Sequence, residues 1–371
     1  MSNGISVAAG GDIFANGRFF ADGRPLSQTF DDILAISGGA DVVFANYEMP
    51  LSTRGQPLEK LANIRADPAI AEDIGRLGLD VVSIANNHMM DYGPEAMFDT
   101  IGSLDEQGIA HVGAGATIEE AVEPVIIDVR GRSVGFLAFT CLVAPGSGAT
   151  SASPGVAPIH VSSAYEINPY WQAEEPGEPA MITVRTFADA GEQAFAAECV
   201  RDLRQKVEVL CLSLHWGYGG LSSRLAEYQR PLGHAMIDAG ADVILGNHVH
   251  AVQGVEWYRG KAIVYSPGTF VGRQLPPESE GGEITDLVRS LLADMSPDGL
   301  LTVIDIDETG HYDLRMIPTS LDGNGLPARA SGAVLDRIAA RVTEWSQKAD
   351  AEVKLVDGEL RSAPPAGSGG T

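Results

Sequence analysis

Five short apolar runs, each ending on polar residues with metal- or acid-base chemistry, constrain this chain more than any other feature. They are Ile5–Ala9 leading to Gly10-Gly11-Asp12, Asp41–Ala45 to Asn46-Tyr47-Glu48, and Leu79–Ala85 to Asn86-Asn87-His88. Val207–Leu214 follows, leading to His215, and then Ala241–Leu245, leading to Gly246-Asn247-His248-Val249-His250. Runs this short and this apolar are strands buried on both faces, which belong to parallel sheets covered by helices. Helical spacing recurs between them: 27–36 with Ser27 as cap, 67–77 with Pro68 at its first position, then 93–107, 188–206 and 226–239. A last helix is expected over 332–349. Alternating strands and helices give an α/β fold.

In open α/β sheets, ligand sites lie beyond the carboxyl ends of the strands. Asp12, Glu48, Asn87, His88, His215, His248 and His250 all fall there. Each has an ordinary explanation singly, because Asp and Asn are common turn residues and a histidine after a strand is often solvated. Together they form a mixed imidazole, carboxylate and amide set that suits one or two divalent transition ions, Mn, Zn or Fe. A carboxylate in such a set can bridge two ions, and paired ions activate water for hydrolysis.

Composition narrows the partners. The formal charge is −25, from 50 acidic and 25 basic residues. A field of that sign repels nucleic-acid phosphates and anionic lipid, so a small-molecule substrate is expected, with no nucleic acid and no membrane. No apolar run approaches the ~20 residues that span a bilayer. The first residues, Met1-Ser2-Asn3-Gly4-Ile5, lack a basic leader pattern, and the three cysteines (Cys141, Cys199, Cys211) show no paired spacing. The cytoplasm is the expected compartment; the oligomeric state is not legible.

Residues 1–330 are read as one catalytic domain. Within it, 144–178 is rich in Gly, Ser, Pro and Ala and is expected as an inserted loop or lid, with Tyr170 and Trp171 as substrate-facing aromatics. Residues 331–361 should pack a helix onto the domain, and 362–371 should form a disordered tail.

The ordered motifs Gly11-Asp12, Asn46-Tyr47-Glu48, Ala85–Gly93, His215-Trp216-Gly217, Gly246–His250 and Tyr265–Phe270 resemble those of the CapA (poly-γ-glutamate capsule biosynthesis) family. That family belongs to the calcineurin-like metallophosphatase superfamily. The resemblance implies a four-layer α-β-β-α sandwich with a dinuclear site. It assigns Asp12 and His250 to one ion, Asn87, His215 and His248 to the other, and Glu48 to both. His88 would stabilise the transition state or protonate the leaving group, with Asp91 orienting it or capping the next helix. Arg65 matches a basic position of the family and, with Trp216, Tyr170 and Trp171, completes a set of candidate substrate contacts. Superfamily phosphatases open with Asp-x-His, whereas Asp12-Ile13-Phe14 lacks the histidine, leaving one ion with fewer ligands. Three functions stay open: a metal-dependent hydrolase of an amide C–N bond in a small carboxylated substrate, a phosphomonoesterase or phosphodiesterase, and a non-catalytic accessory protein of poly-γ-glutamate synthesis.

Overall fold

A computed structural model describes residues 4–14, 17–60, 62–219, 224–272 and 296–365. The principal helices are α1 (Gln28–Ser37), α2 (Gly93–Glu106), α3 (Ala190–Arg204), α4 (Gln229–Ala239) and α5 (Gly332–Gln347). The strands of the first half are β1 (Ile5–Ile13), β2 (Val42–Tyr47), β3 (Val81–Ser83), β4 (Ala110–Val112), β5 (Val125–Val129), β6 (Arg132–Thr140), β7 (Val161–Ile167) and β8 (Ile182–Ala188). The second half supplies β9 (Val209–His215), β10 (Val243–Asn247), β11 (Val255–Tyr258), β12 (Lys261–Val264) and β13 (Thr269–Val271). It ends with β14 (Asp298–Ile306), β15 (Tyr312–Leu321), β16 (Lys354–Val356) and β17 (Glu359–Ser362).

Two large sheets carry the fold. The first has ten strands, eight of them in the order β16-β17-β15-β14-β1-β2-β3-β4, with β13 added beside β1 and Pro327–Arg329 beside β15. The second has six, in the order β11-β12-β10-β9-β6-β5. β1 to β4 run parallel, as do β6, β9, β10 and β12, so the carboxyl ends within each set gather at one edge.

The pleat sorts side chains into three apolar layers. Along β9, Val209 and Cys211 point between the sheets, while Leu210, Leu212 and Leu214 point to the outside. There they meet Val200 and Leu203 of α3 and Leu232 and Met236 of α4. On the other side Ala8, Val43, Ala45 and Val82 face Phe30 and Ile33 of α1 and Met97 and Leu104 of α2. Phe44 of β2 stacks on Phe136 of β6 in the middle layer, ring centroids 5.6 Å apart. The chain is thus the α-β-β-α sandwich the motifs implied. No helix among the described residues is long and apolar enough to cross a membrane.

Three stretches differ from expectation. The 144–178 segment is built rather than looped. Gly155-Val156 pairs with Ala114-Gly115, and β7 pairs with β8 in a hairpin whose residues are largely exposed. The β-propensity of Val161–Ile167 outweighs the Gly, Ser and Pro around it. At the C-terminus, Ser362 belongs to β17, and its hydroxyl accepts the Trp257 indole N–H at 2.8 Å. Of the tail expected from 362 to 371, residues 366–371 lie outside the described residues. The 67–77 helix is also shorter than its spacing suggested: a 3-10 turn, Pro68–Ile70, then Ala71–Gly75.

Candidate metal centre

Each candidate ligand is placed by the end of a strand. Asp12 lies in β1, where the chain presses against the β13 turn: a Cβ on Gly11 would stand 1.8 Å from the Gly268 carbonyl. Glu48 follows β2, and Asn87 and His88 follow β3. From the second sheet come His215, the last residue of β9, and His248 and His250 just past β10. Both of these histidines have left-handed backbones, with φ of 94° and 54°. That conformation is costly for a residue with a Cβ and is held where surrounding structure dictates it.

Asp12, Glu48 and His215 are fully buried, and His250 is nearly so. Asp12 Oδ2 accepts from His250 Nδ1 at 2.8 Å, and Asn87 Oδ1 accepts from His215 Nε2 at 2.8 Å. Glu48 Oε1 stands 3.4 Å from His215 Nε2 and 3.6 Å from His250 Nε2. The rings of His215 and His248 lie 4.9 Å apart, and those of His248 and His250 5.7 Å. Two ligand groups result, Glu48-His215-His248 and Asp12-Glu48-His250, each with its donor atoms within 4.8 Å of one another. Glu48 belongs to both.

The electrostatics of this cluster suit cations. Burial, with Asp12 alongside, pushes the Glu48 carboxyl well above its usual range. Burial and the neighbouring imidazoles push His215 and His248 well below theirs, so both rings are neutral with a lone pair to offer. Glu48 Oε1 and His248 Nδ1 are buried with no hydrogen-bond partner. Unpaired polar atoms are costly inside a protein unless something else completes them, and N/O donors around a shared carboxylate fit divalent transition ions.

His88 stands beside this cluster. Its Nδ1 donates to Asp91 Oδ2 at 2.7 Å, and burial lowers its pKa against the pull of Asp91. Asp91 is fully buried; it also accepts the Ile64 amide at 2.7 Å and pairs with Lys60, whose Nζ donates to the Asn87 carbonyl at 2.6 Å. The helix-cap alternative for Asp91 is not what its side chain does. Arg65, next to Ile64, is half-buried with its guanidinium 4.2 Å from the Tyr92 ring centre.

One expected substrate contact is placed elsewhere. Trp216 is fully buried against the outer face of the second sheet, stacked on Tyr265 with its indole N–H on the Tyr265 carbonyl at 3.0 Å. It cannot meet a substrate there. Tyr170 and Trp171 meet edge to face, centroids 5.1 Å apart, in a short helix at the tip of the β7–β8 hairpin. Conversely, the motifs did not single out Lys60, Asn46 or Asn86. Lys60 sits in an irregular stretch with no pattern to flag it. Asn46 and Asn86 lie inside quoted motifs, beside residues that drew the assignment.

The model of the family described as bacterial capsule synthesis protein PGA_cap matches residues 6–274. The PGA biosynthesis protein CapA of Bacillus subtilis is 26% identical over 273 residues, covering 72% of this chain and 63% of that protein. A probable polyglutamine synthesis accessory protein of Mycobacterium tuberculosis is 29% identical over 310 residues, covering 82% and 70%. The chain therefore spans less than two thirds of the Bacillus protein's length. Among solved structures, a calcineurin-like phosphoesterase, YfkN from Bacillus subtilis, aligns with a TM-score of 0.36 and 15% identity, covering 94% of this chain and 97% of that one.

Proposed function

Because the chain belongs to the bacterial capsule synthesis protein family PGA_cap, we propose that it is a metal-dependent hydrolase cleaving an amide C–N bond in a small carboxylated molecule. The observation that carries this reading is the pair of ligand groups sharing Glu48, with the His88–Asp91 pair at their side. Asp12 and His250 would hold one divalent ion, Asn87, His215 and His248 the other, and Glu48 both. Mn, Zn or Fe bound there would supply Lewis acidity and lower the pKa of water. His88 keeps its Nδ1 proton in the bond with Asp91, so the lone pair at Nε2 would take a proton from the attacking water and then return it to the departing nitrogen. Arg65, next in chain to the amide that anchors Asp91, is assigned the substrate carboxylate.

The choice of an amide is supported by the relatives' names, since polymers of amino acids are joined by amide bonds. A second reading, a non-catalytic accessory role in such a synthesis, is favoured by the word accessory in the name of the Mycobacterium relative. Metal analysis of purified protein, followed by assays on a panel of carboxylated amides and on model phosphoesters, separates the readings. Bound Mn, Zn or Fe with amide turnover supports the hydrolase. Turnover of phosphoesters alone replaces the amide with a phosphoester, and metal-free, inactive protein leaves the accessory role.

A further inference from the structure

The two oxygens of Glu48 have unequal surroundings. Oε2 accepts from Asn46 Nδ2 at 3.2 Å, whereas Oε1 is buried without a hydrogen bond and faces His215 and His250. The same Asn46 amide donates to Asp12 Oδ1 at 2.7 Å, and its own oxygen accepts from Asn86 Nδ2 at 3.3 Å. Asn86 is pinned in turn. Its Nδ2 reaches the Tyr47 carbonyl at 2.8 Å, and its Oδ1 accepts the amides of His88 at 3.1 Å and Met89 at 2.9 Å. The orientation of the Asn46 amide is forced, because turning it over would set its oxygen against two carboxylates and its NH2 against that of Asn86. Both side chains are almost wholly buried, so water does not compete for these bonds.

We propose that Asn46, braced by Asn86, is a positioning residue that turns the Glu48 carboxylate so that one oxygen, Oε1, is kept for sharing between two cations. The inference rests on the metal-site reading given above, in which neither asparagine is a ligand. A Glu48 carboxylate free to rotate would offer both oxygens to one ion. With Oε2 occupied by an amide, and Asp12 held by the same amide, the pair favours two ions over one. It also ties the end of β2 to the 86–88 turn, so that Asn87 and Glu48 move as a unit.

The test titrates the metal-free full chain with Mn²⁺, reading stoichiometry and affinity by calorimetry and ion–ion coupling by electron paramagnetic resonance. The unsubstituted protein should bind two ions with a spin-coupled spectrum. Asn46→Leu, similar in shape but without donors, should weaken the second ion roughly 10–100-fold, the loss typical of removing an outer-shell partner, and replace the coupled spectrum with that of isolated Mn²⁺. Two ions bound by folded Asn46→Leu with unchanged affinity and coupling would overturn the inference. Should that variant fail to fold, Asn86→Ala, which removes the brace and leaves every ligand in place, is decided by the same two readings. A single Mn²⁺ on the unsubstituted protein overturns the inference and leaves the metal site standing, whereas no binding removes both.

Discussion

At the scale of single residues, the proposed roles separate the groups assigned to hold an ion from the one assigned to move a proton. His250 lies between Asp12 and Glu48, so His250→Ala should release metal and abolish turnover together. His88 bonds Asp91 and belongs to neither ligand group, so His88→Ala should keep its metal while kcat falls roughly 10²–10⁴-fold. Metal content and steady-state rates measured on the same preparations check both, and loss of metal from His88→Ala would make His88 a ligand. The buried titrating groups predict a pH dependence for metal-free protein. Glu48, raised by burial, keeps its proton in the folded chain where the unfolded chain loses it above about pH 4.3, so its contribution to stability falls as pH rises. His215 and His248, lowered by burial, refuse protons that the unfolded chain takes below about pH 6.5, so their contribution falls as pH drops. Urea unfolding with chelator present should therefore show greatest stability near pH 6.5, and Glu48→Gln should remove the decline on the alkaline side.

At the scale of elements, each ligand is aimed by the strand before it, and the strands are held by contacts that tolerate little change. A Cβ on Gly246 would lie 2.1 Å from the Tyr265 carbonyl and 2.4 Å from Trp216 Nε1. Gly246→Ala should thus push β10 off β12 and cost about 1–3 kcal/mol, the range for overpacking a filled core, with weaker metal binding because His248 and His250 follow directly. Denaturant unfolding and metal titration of the variant measure the two effects. These strands were legible in the sequence because burial on both faces makes them continuous apolar runs, and their ends were legible because a polar residue stops each run. Trp216 was misread for the same reason: adjacency to His215 in the chain says nothing of face, and the pleat sends the next side chain to the opposite side. The β7–β8 hairpin was hidden because its residues alternate polar and apolar with neither face fully buried, which mimics a loop in composition. Lys60 could not be found, since its place beside Asp91 is set by the long-range bonds of Leu58 to the Asp91 carbonyl and of Ile64 to its carboxylate.

At the scale of the molecule, the centre sits across the seam between the two sheets. Asp12, Glu48 and Asn87 come from the first sheet; His215, His248 and His250 come from the second. Elsewhere the sheets meet through apolar contacts such as Phe44 on Phe136, whereas here two carboxylates and three imidazoles converge in a largely buried space. A cation bound there has ligands only in the folded arrangement, so binding acts as a staple between the halves of the sandwich. It also offsets part of a net charge of −25, which opposes compaction. Free ion at a hundredfold excess over its dissociation constant stabilises the folded state by about 2.7 kcal/mol. The melting temperature of chelator-treated protein should then rise by a few degrees with added Mn²⁺ and keep rising with the logarithm of its concentration. Sodium chloride, which screens charge without filling the site, should not reproduce that rise. Glu48→Gln, lacking the carboxylate that both ligand groups share, should abolish most of it. A melting temperature indifferent to Mn²⁺, or an equal rise in Glu48→Gln, would show that the seam is held without a metal.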